Sequence, residues 1–159
     1  MKLLGLGYAL GKKKIPVKEL FSDSRLVDKT GIEHVYEEPE SLSELVLRAA
    51  EDVEHFDPAN IKMCILVTQS PDDFLPANSI PLASKLYLPK DIMAFDINQG
   101  CSGFVQALCL LNNLTKRYSD ALLITADRYR SKLGSNDRST NAVFSDGASL
   151  SMLHLKCVS

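Results

Sequence analysis

The stretch AFDINQGCSGF, Ala94 to Phe104, closes an apolar run on a cysteine set between Gly100 and Gly103. A strand that passes into a helix through a tight turn projects its corner residue clear of the sheet. Free N–H groups and the positive end of the following helix favour a thiolate at such a corner. The same N–H groups can hold the oxyanion that forms when that thiolate attacks an acyl carbonyl. Glycines beside the corner keep side-chain bulk away from backbone and substrate. Cys101 thus meets the physical requirements of an acyl-accepting nucleophile. The plain alternative is a small buried hydrophobe at a helix start. The other cysteines read as packing: Cys64 inside an apolar strand, Cys109 about 80° around the helix from Cys101, and Cys157 near the end of the sequence.

The elements that must position Cys101 follow from periodicity. Apolar runs at Lys2 to Gly7, Met63 to Thr68, Ile92 to Ile97 and Ala121 to Thr125 read as strands, and Ser149 to Leu155 alternates as a last strand. Ser41-Leu42-Ser43-Glu44 fits a capping box, and Leu42, Leu45, Val46, Ala49, Ala50 and Val53 then keep helical spacing toward Asp57-Pro58. Cys101 to Arg117 reads as a second long helix, Ala77 to Leu86 as a short one limited by Pro81, and Val17 to Phe21 as a helical piece. Lys12 to Pro16 is expected to be a solvated turn, and Ser22 to Pro39 and Asp127 to Asn141 loops. Alternating strands and helices predict an α/β layered fold with a mostly parallel sheet. In such sheets binding groups gather beyond the carboxyl ends of strands, here at residues 68–76, 98–103 and 126–147.

Composition narrows the function classes. The 159 residues carry a net charge of −2, which gives no electrostatic case for nucleic acid or an anionic membrane. No apolar run approaches the ~20 residues of a spanning helix. The start MKLLGLGYALGKKK is too short and glycine-broken for a signal peptide, so the expected location is cytoplasmic. No pairing of cysteine and histidine suggests a metal site. Gly5, Gly7 and Gly11 precede lysines and proline rather than a helix, a poor match to a dinucleotide fingerprint. Nothing divides the chain, so residues 1–159 are expected to form a single domain.

AFDINQGCSGFVQAL, followed by ALLITADRYRSKLGSNDRSTNAVFSDGASLSML, resembles the β-ketoacyl-[acyl-carrier-protein] synthase III family of thiolase-fold condensing enzymes. Carrying the resemblance are Phe95-Asp96, Cys101-Ser102-Gly103-Phe104, Asp137-Arg138, Phe144-Ser145-Asp146-Gly147-Ala148 and Lys29-Thr30-Gly31-Ile32. It implies a thiolase-like layered fold of which this is the N-terminal half, with a mostly parallel five-stranded sheet flanked by helices. It implies that Cys101 takes an acyl group from a thioester for joining to malonyl-carrier protein with loss of carbon dioxide. It implies that no cofactor is held permanently and that acyl-coenzyme A or acyl-carrier protein is the substrate. Partners implied are acyl carrier protein and a second copy in a homodimer.

The resemblance also assigns binding residues. Lys29 stands where the family has a phosphate-side arginine, keeping the charge without the bidentate fork. Arg138 matches a second such arginine. The family's adenine-stacking tryptophan has no counterpart, Arg25 standing in its place. Aligned on Pro76, Leu75 with adjacent Phe74 falls where a side chain reaches the neighbouring subunit's acyl pocket, a position for chain-length selection. The His and Asn that drive decarboxylation belong to the family's C-terminal half, which is expected to lie outside this sequence, and His34, His55 and His154 do not replace the histidine. A non-catalytic dimerising or partner half with a vestigial cysteine is the competing reading.

Overall fold

A computed structural model describes residues 1–20, 25–114, 118–134 and 137–155, with only the backbone of Arg138 and Ser139. The main sheet has five strands in the order β1 (Lys2–Leu10), β7 (Gly147–His154), β6 (Asp120–Asp127), β4 (Ile61–Val67), β5 (Met93–Ile97). β4 pairs in parallel with both β5 and β6, and β7 runs antiparallel to β6 and β1. Four strands therefore share one direction and only β7 opposes them, the mostly parallel arrangement that the alternating pattern predicts.

Strand β4 shows why a continuous apolar run belongs at the centre. Its side chains alternate between two cores. Cys64 and Leu66 join α3 (Leu42–Glu51) and α4 (Ser79–Lys85), together with Leu45, Ala49, Leu82 and Leu122. Met63, Ile65 and Val67 face the other way, onto Ala107 and Leu111 of α5 (Gly103–Asn113). The result is helices over both sides of one sheet.

Helix α3 begins at its expected cap: Ser41 Oγ accepts the Glu44 N–H at 3.1 Å. The next donors go elsewhere, since the Asp72 carboxylate accepts the N–H groups of Leu42 and Ser43 at 2.9 and 3.2 Å. The helix ends at Glu51, short of Asp57. Pro81 is third in α4, within the first turn, where its missing N–H costs no helical bond. Asp96 of β5 caps that helix, accepting from the N–H groups of Asn78 and Ser79.

The expected turn and loop before residue 40 hold structure instead. β2 (Lys13–Pro16) pairs antiparallel with β3 (His34–Glu37), and α1 (Val17–Leu20) and α2 (Arg25–Thr30) lie between them. Ile15, Val17, Val35 and Ala142 form a small third core. α6 (Arg138–Asn141) and a 3₁₀ turn at Tyr129–Lys132 likewise interrupt the expected loop after β6.

Two apolar surfaces carry no cover among the described residues. Gly5, Gly7 and Ala9 of β1 turn toward α3, so Leu6, Tyr8 and Leu10 point from the opposite face and stay exposed. On α5 the buried stripe is Gly103, Ala107 and Leu111, which leaves Phe104, Val105 and Leu110 exposed. No helix among the described residues is long and apolar enough to cross a membrane.

Candidate active site

Cys101 lies in a 3₁₀ turn, Gly100–Ser102, between the end of β5 and the start of α5, and it is exposed. The turn forms because Gly100 takes φ +54°, left-handed backbone that an L side chain rarely adopts. Gly103 has a different task. A Cβ there would sit 2.5 Å from Val67 Cγ1, so only glycine lets α5 start this close to β4. The first glycine shapes the corner and the second seats the helix, a sharper division than clearing space for substrate. Ser102 Oγ donates to the Gln99 carbonyl at 2.8 Å and leaves the start of α5 without a side-chain cap.

The turn opens on a pocket of about 390 Å³ at the carboxyl ends of β4 and β6. Val67 and Phe104 give it apolar walls, while Gln69, Thr125, Asp127 and Ser149 line it with oxygen and amide groups. Thr125 and Ser149 are cross-strand partners whose hydroxyls lie 2.8 Å apart. Asp127 ties the end of β6 to the loop after β4. Its Oδ1 accepts from Gln69 N–H at 2.7 Å, Ser70 Oγ at 2.9 Å and Thr68 Oγ1 at 3.2 Å, and its Oδ2 from Gln69 Nε2 at 3.4 Å. Arg128 N–H donates to Ser70 Oγ at 2.6 Å, closing the same junction. The sequence placed this rim beyond the strand ends but did not single out these four polar residues. Their position after or within strands was the only signal available.

The cysteines separate by environment. Cys64 is fully buried, and burial, with the nearby Asp96 charge second, pushes its thiol up to about 12. Cys109 is exposed, contrary to the expectation of a core residue. The buried stripe of α5 runs through Gly103, Ala107 and Leu111, and Cys109 falls well away from it. Cys157 lies outside the described residues.

Of the expected binding residues, Phe74, Leu75 and Lys29 do not line this pocket. Phe74 and Leu75 are 97% and 84% exposed at the tip of the loop between β4 and α4. Asn78 fixes that loop, its Oδ1 accepting from Asp72 and Asp73 N–H and its Nδ2 donating to the Asp73 carbonyl. Lys29 is exposed in the last turn of α2, where Gly31 at φ +69° ends the helix. Arg138 begins α6, and its side chain lies outside the described residues.

No histidine lines the Cys101 pocket. His154 pairs with Asp120 at 2.6 Å at the far end of the sheet, beside a hollow of about 550 Å³ that Asp120 and His55 help to line. Among the described residues no group of three or more acidic, histidine or cysteine side chains is placed to hold a metal ion.

The motif around Asp146 is structural. Asp146 is fully buried, with Oδ2 accepting Glu38 N–H and Oδ1 accepting Arg130 N–H, both at 2.8 Å. Burial raises its carboxyl above the usual range despite those bonds and the nearby Arg130 and Arg128.

Comparison with known proteins converges on one group. Residues 95–155 match the family described as 3-oxoacyl-[acyl-carrier-protein] synthase III. Beta-ketoacyl-[acyl-carrier-protein] synthase III proteins from a Bradyrhizobium species and from Ehrlichia canis are 35% and 36% identical, each over 92% of this chain. The chain spans about half the length of these relatives, 48% and 49%. The solved 3-oxoacyl-[acyl-carrier-protein] synthase III from Aquifex aeolicus superposes with a TM-score of 0.88 at 27% identity, over 96% of this chain and 53% of that one. Its counterpart from Pseudomonas aeruginosa gives 0.87 at 28%, over 96% and 50%.

Proposed function

We propose, from the match of this chain to about the N-terminal half of β-ketoacyl-[acyl-carrier-protein] synthase III proteins, that it carries the acyl-accepting half of an acyltransferase site. The observation that carries the reading is Cys101: an exposed thiol on a glycine-formed corner, opening on a pocket at the strand ends. Cys101 Sγ attacks the carbonyl carbon of an acyl thioester, and the oxygen takes up the charge. The backbone N–H of Cys101 is the proposed donor to that oxyanion. Collapse breaks the donor's C–S bond and leaves the acyl group on Sγ. The donor thiol departs with the proton that Cys101 gave up.

The donor is acyl-coenzyme A or acyl-carrier protein, with Lys29 and Arg138 on the phosphate side. Leu75 and Phe74 act across a homodimer, limiting acyl length in the partner's pocket. Their exposure at the tip of an anchored loop supports that role. Decarboxylative joining to malonyl-carrier protein needs an imidazole and an amide, which are assigned to groups outside these residues. The exposed faces of β1 and α5 are the surfaces such a second half would cover.

Thiol release tests the reading. Mixing with acetyl-coenzyme A should free about one equivalent of coenzyme A per chain in a single burst, and Cys101→Ser should abolish it. A folded chain that releases none, with either coenzyme A or carrier-protein donors, favours the non-catalytic dimerising half instead.

A further inference from the structure

The polar wall of the Cys101 pocket has a definite hydrogen-bonding sense. Gln69 Nε2 points at Asp127 Oδ2, and a carboxylate only accepts, so the amide must turn its nitrogen that way. Its oxygen then faces the corner: Gln69 Oε1 lies 3.6 Å from where a Cβ on Gly100 would stand, one residue from the thiol. Among the described residues the Gln69 amide bonds Asp127 Oδ2, whereas Oδ1 accepts three bonds. The Thr125 and Ser149 hydroxyls are turned to each other across the strands, so one of their two protons is used within the pair and one remains to donate. Among the described residues no lysine or arginine lines the pocket. The wall beside the nucleophile therefore offers the Gln69 amide oxygen at the corner, one carboxylate, and a single hydroxyl proton from the Thr125–Ser149 pair.

Building on the acyl-transfer reading above, we infer that Gln69 selects the acyl group, favouring a short, uncharged acyl chain that carries a hydroxyl donor near its carbonyl. An apolar chain of equal length leaves Gln69 Oε1 desolvated without a donor. A chain ending in a carboxylate meets Asp127 with like charge. Asp127 acts through Gln69 as a positioning residue, fixing which end of the amide faces the thiol.

The test compares transfer to Cys101 from 3-hydroxybutyryl-, butyryl- and succinyl-coenzyme A on the 159-residue chain, followed by intact mass. The hydroxylated chain should load about fivefold faster than butyryl, the effect of one neutral hydrogen bond, and succinyl slowest. In Gln69→Leu the ratio of hydroxybutyryl to butyryl should fall to about one, and Asp127→Asn, which frees the amide to turn, should lower it too. Equal or faster loading of butyryl or succinyl by the unaltered chain overturns the inference while leaving acyl transfer intact. Loading of none of the three, whether from coenzyme A or from the matching carrier-protein donors, overturns acyl transfer itself and this inference with it; if only carrier-protein donors load, the same ratios are read with them. A ratio unchanged in a folded Gln69→Leu assigns the preference elsewhere and overturns the role of Gln69.

Discussion

Replacing Gly103 by alanine tests whether the corner is seated by close contact with β4. The new Cβ would lie 2.5 Å from Val67 Cγ1 and 3.8 Å from Gln99 Cβ. Val67 is buried in the α5-side core and borders the Cys101 pocket, so it can give way only by shifting toward that pocket. Overpacking of this kind costs about 1–3 kcal/mol, and the better helix propensity of alanine returns at most about 1 kcal/mol. A contact of 2.5 Å forces a shift and puts the cost at about 2–3 kcal/mol, so the net loss is about 1–2 kcal/mol, which for a domain of this size lowers Tm by about 2–8 °C. Because the strain falls two residues from the thiol, displacement of α5 also moves Cys101, so acyl transfer should slow more than stability alone accounts for. Val67→Ala makes the space that the new methyl needs. On its own it loses about 1.6 kcal/mol of apolar burial, but together with Gly103→Ala it should be more stable than the sum by at least about 1 kcal/mol. Denaturant melts of the two single variants and the double variant measure that coupling. Additive effects, or a Gly103→Ala protein as stable as the parent, would refute the contact argument. Gly134→Ala, with open space around the new Cβ, is the control and should change Tm little.

Alkylation near pH 8 should modify Cys101 and leave Cys64 untouched until the chain unfolds, since a thiol pushed up to about 12 is ionised in roughly one molecule in 10⁴ and is buried besides. Peptide mapping after timed iodoacetamide exposure checks this, and early labelling of Cys64 would contradict it. Asp146→Asn should destabilise by about 1–3 kcal/mol, because one of the two N–H groups now meets an NH₂ donor. Asp146 has a raised carboxyl in the fold, so its contribution is greatest below the usual carboxylate range and is lost as pH rises through the folded value. The stability gap between parent and Asp146→Asn should therefore narrow as pH rises across that range in urea melts. Arg48→Met removes the partner of Glu38, whose side chain is fully buried and bonded at 2.6 Å. It should cost about 3 kcal/mol by the same assay, and a loss below about 1 kcal/mol would show that the pair is dispensable.

The sequence carried the elements whose cause is local. α3 has its cap and its stripe in consecutive residues, and β4 announces burial on both faces by an unbroken apolar run. The elements missed before residue 40 are those whose cause is remote. β2 and β3 stabilise each other across some twenty residues, with Lys13 opposite Glu37, and neither is apolar enough to be read alone. Cys109 was misplaced because the angle was measured from Cys101, whereas the buried stripe begins at Gly103. The Cys101 corner was legible from its glycines, but the wall facing it was not. Gln69, Thr125, Asp127 and Ser149 come together only through strand register, and their types alone give no sign of it.

The most direct test is the intact mass of the chain after incubation with short acyl-coenzyme A and acyl-carrier donors. One acyl group should appear per chain, map to the Cys101 peptide and vanish in Cys101→Ala. A folded chain that gains no mass, or an adduct that persists in Cys101→Ala, would contradict the account.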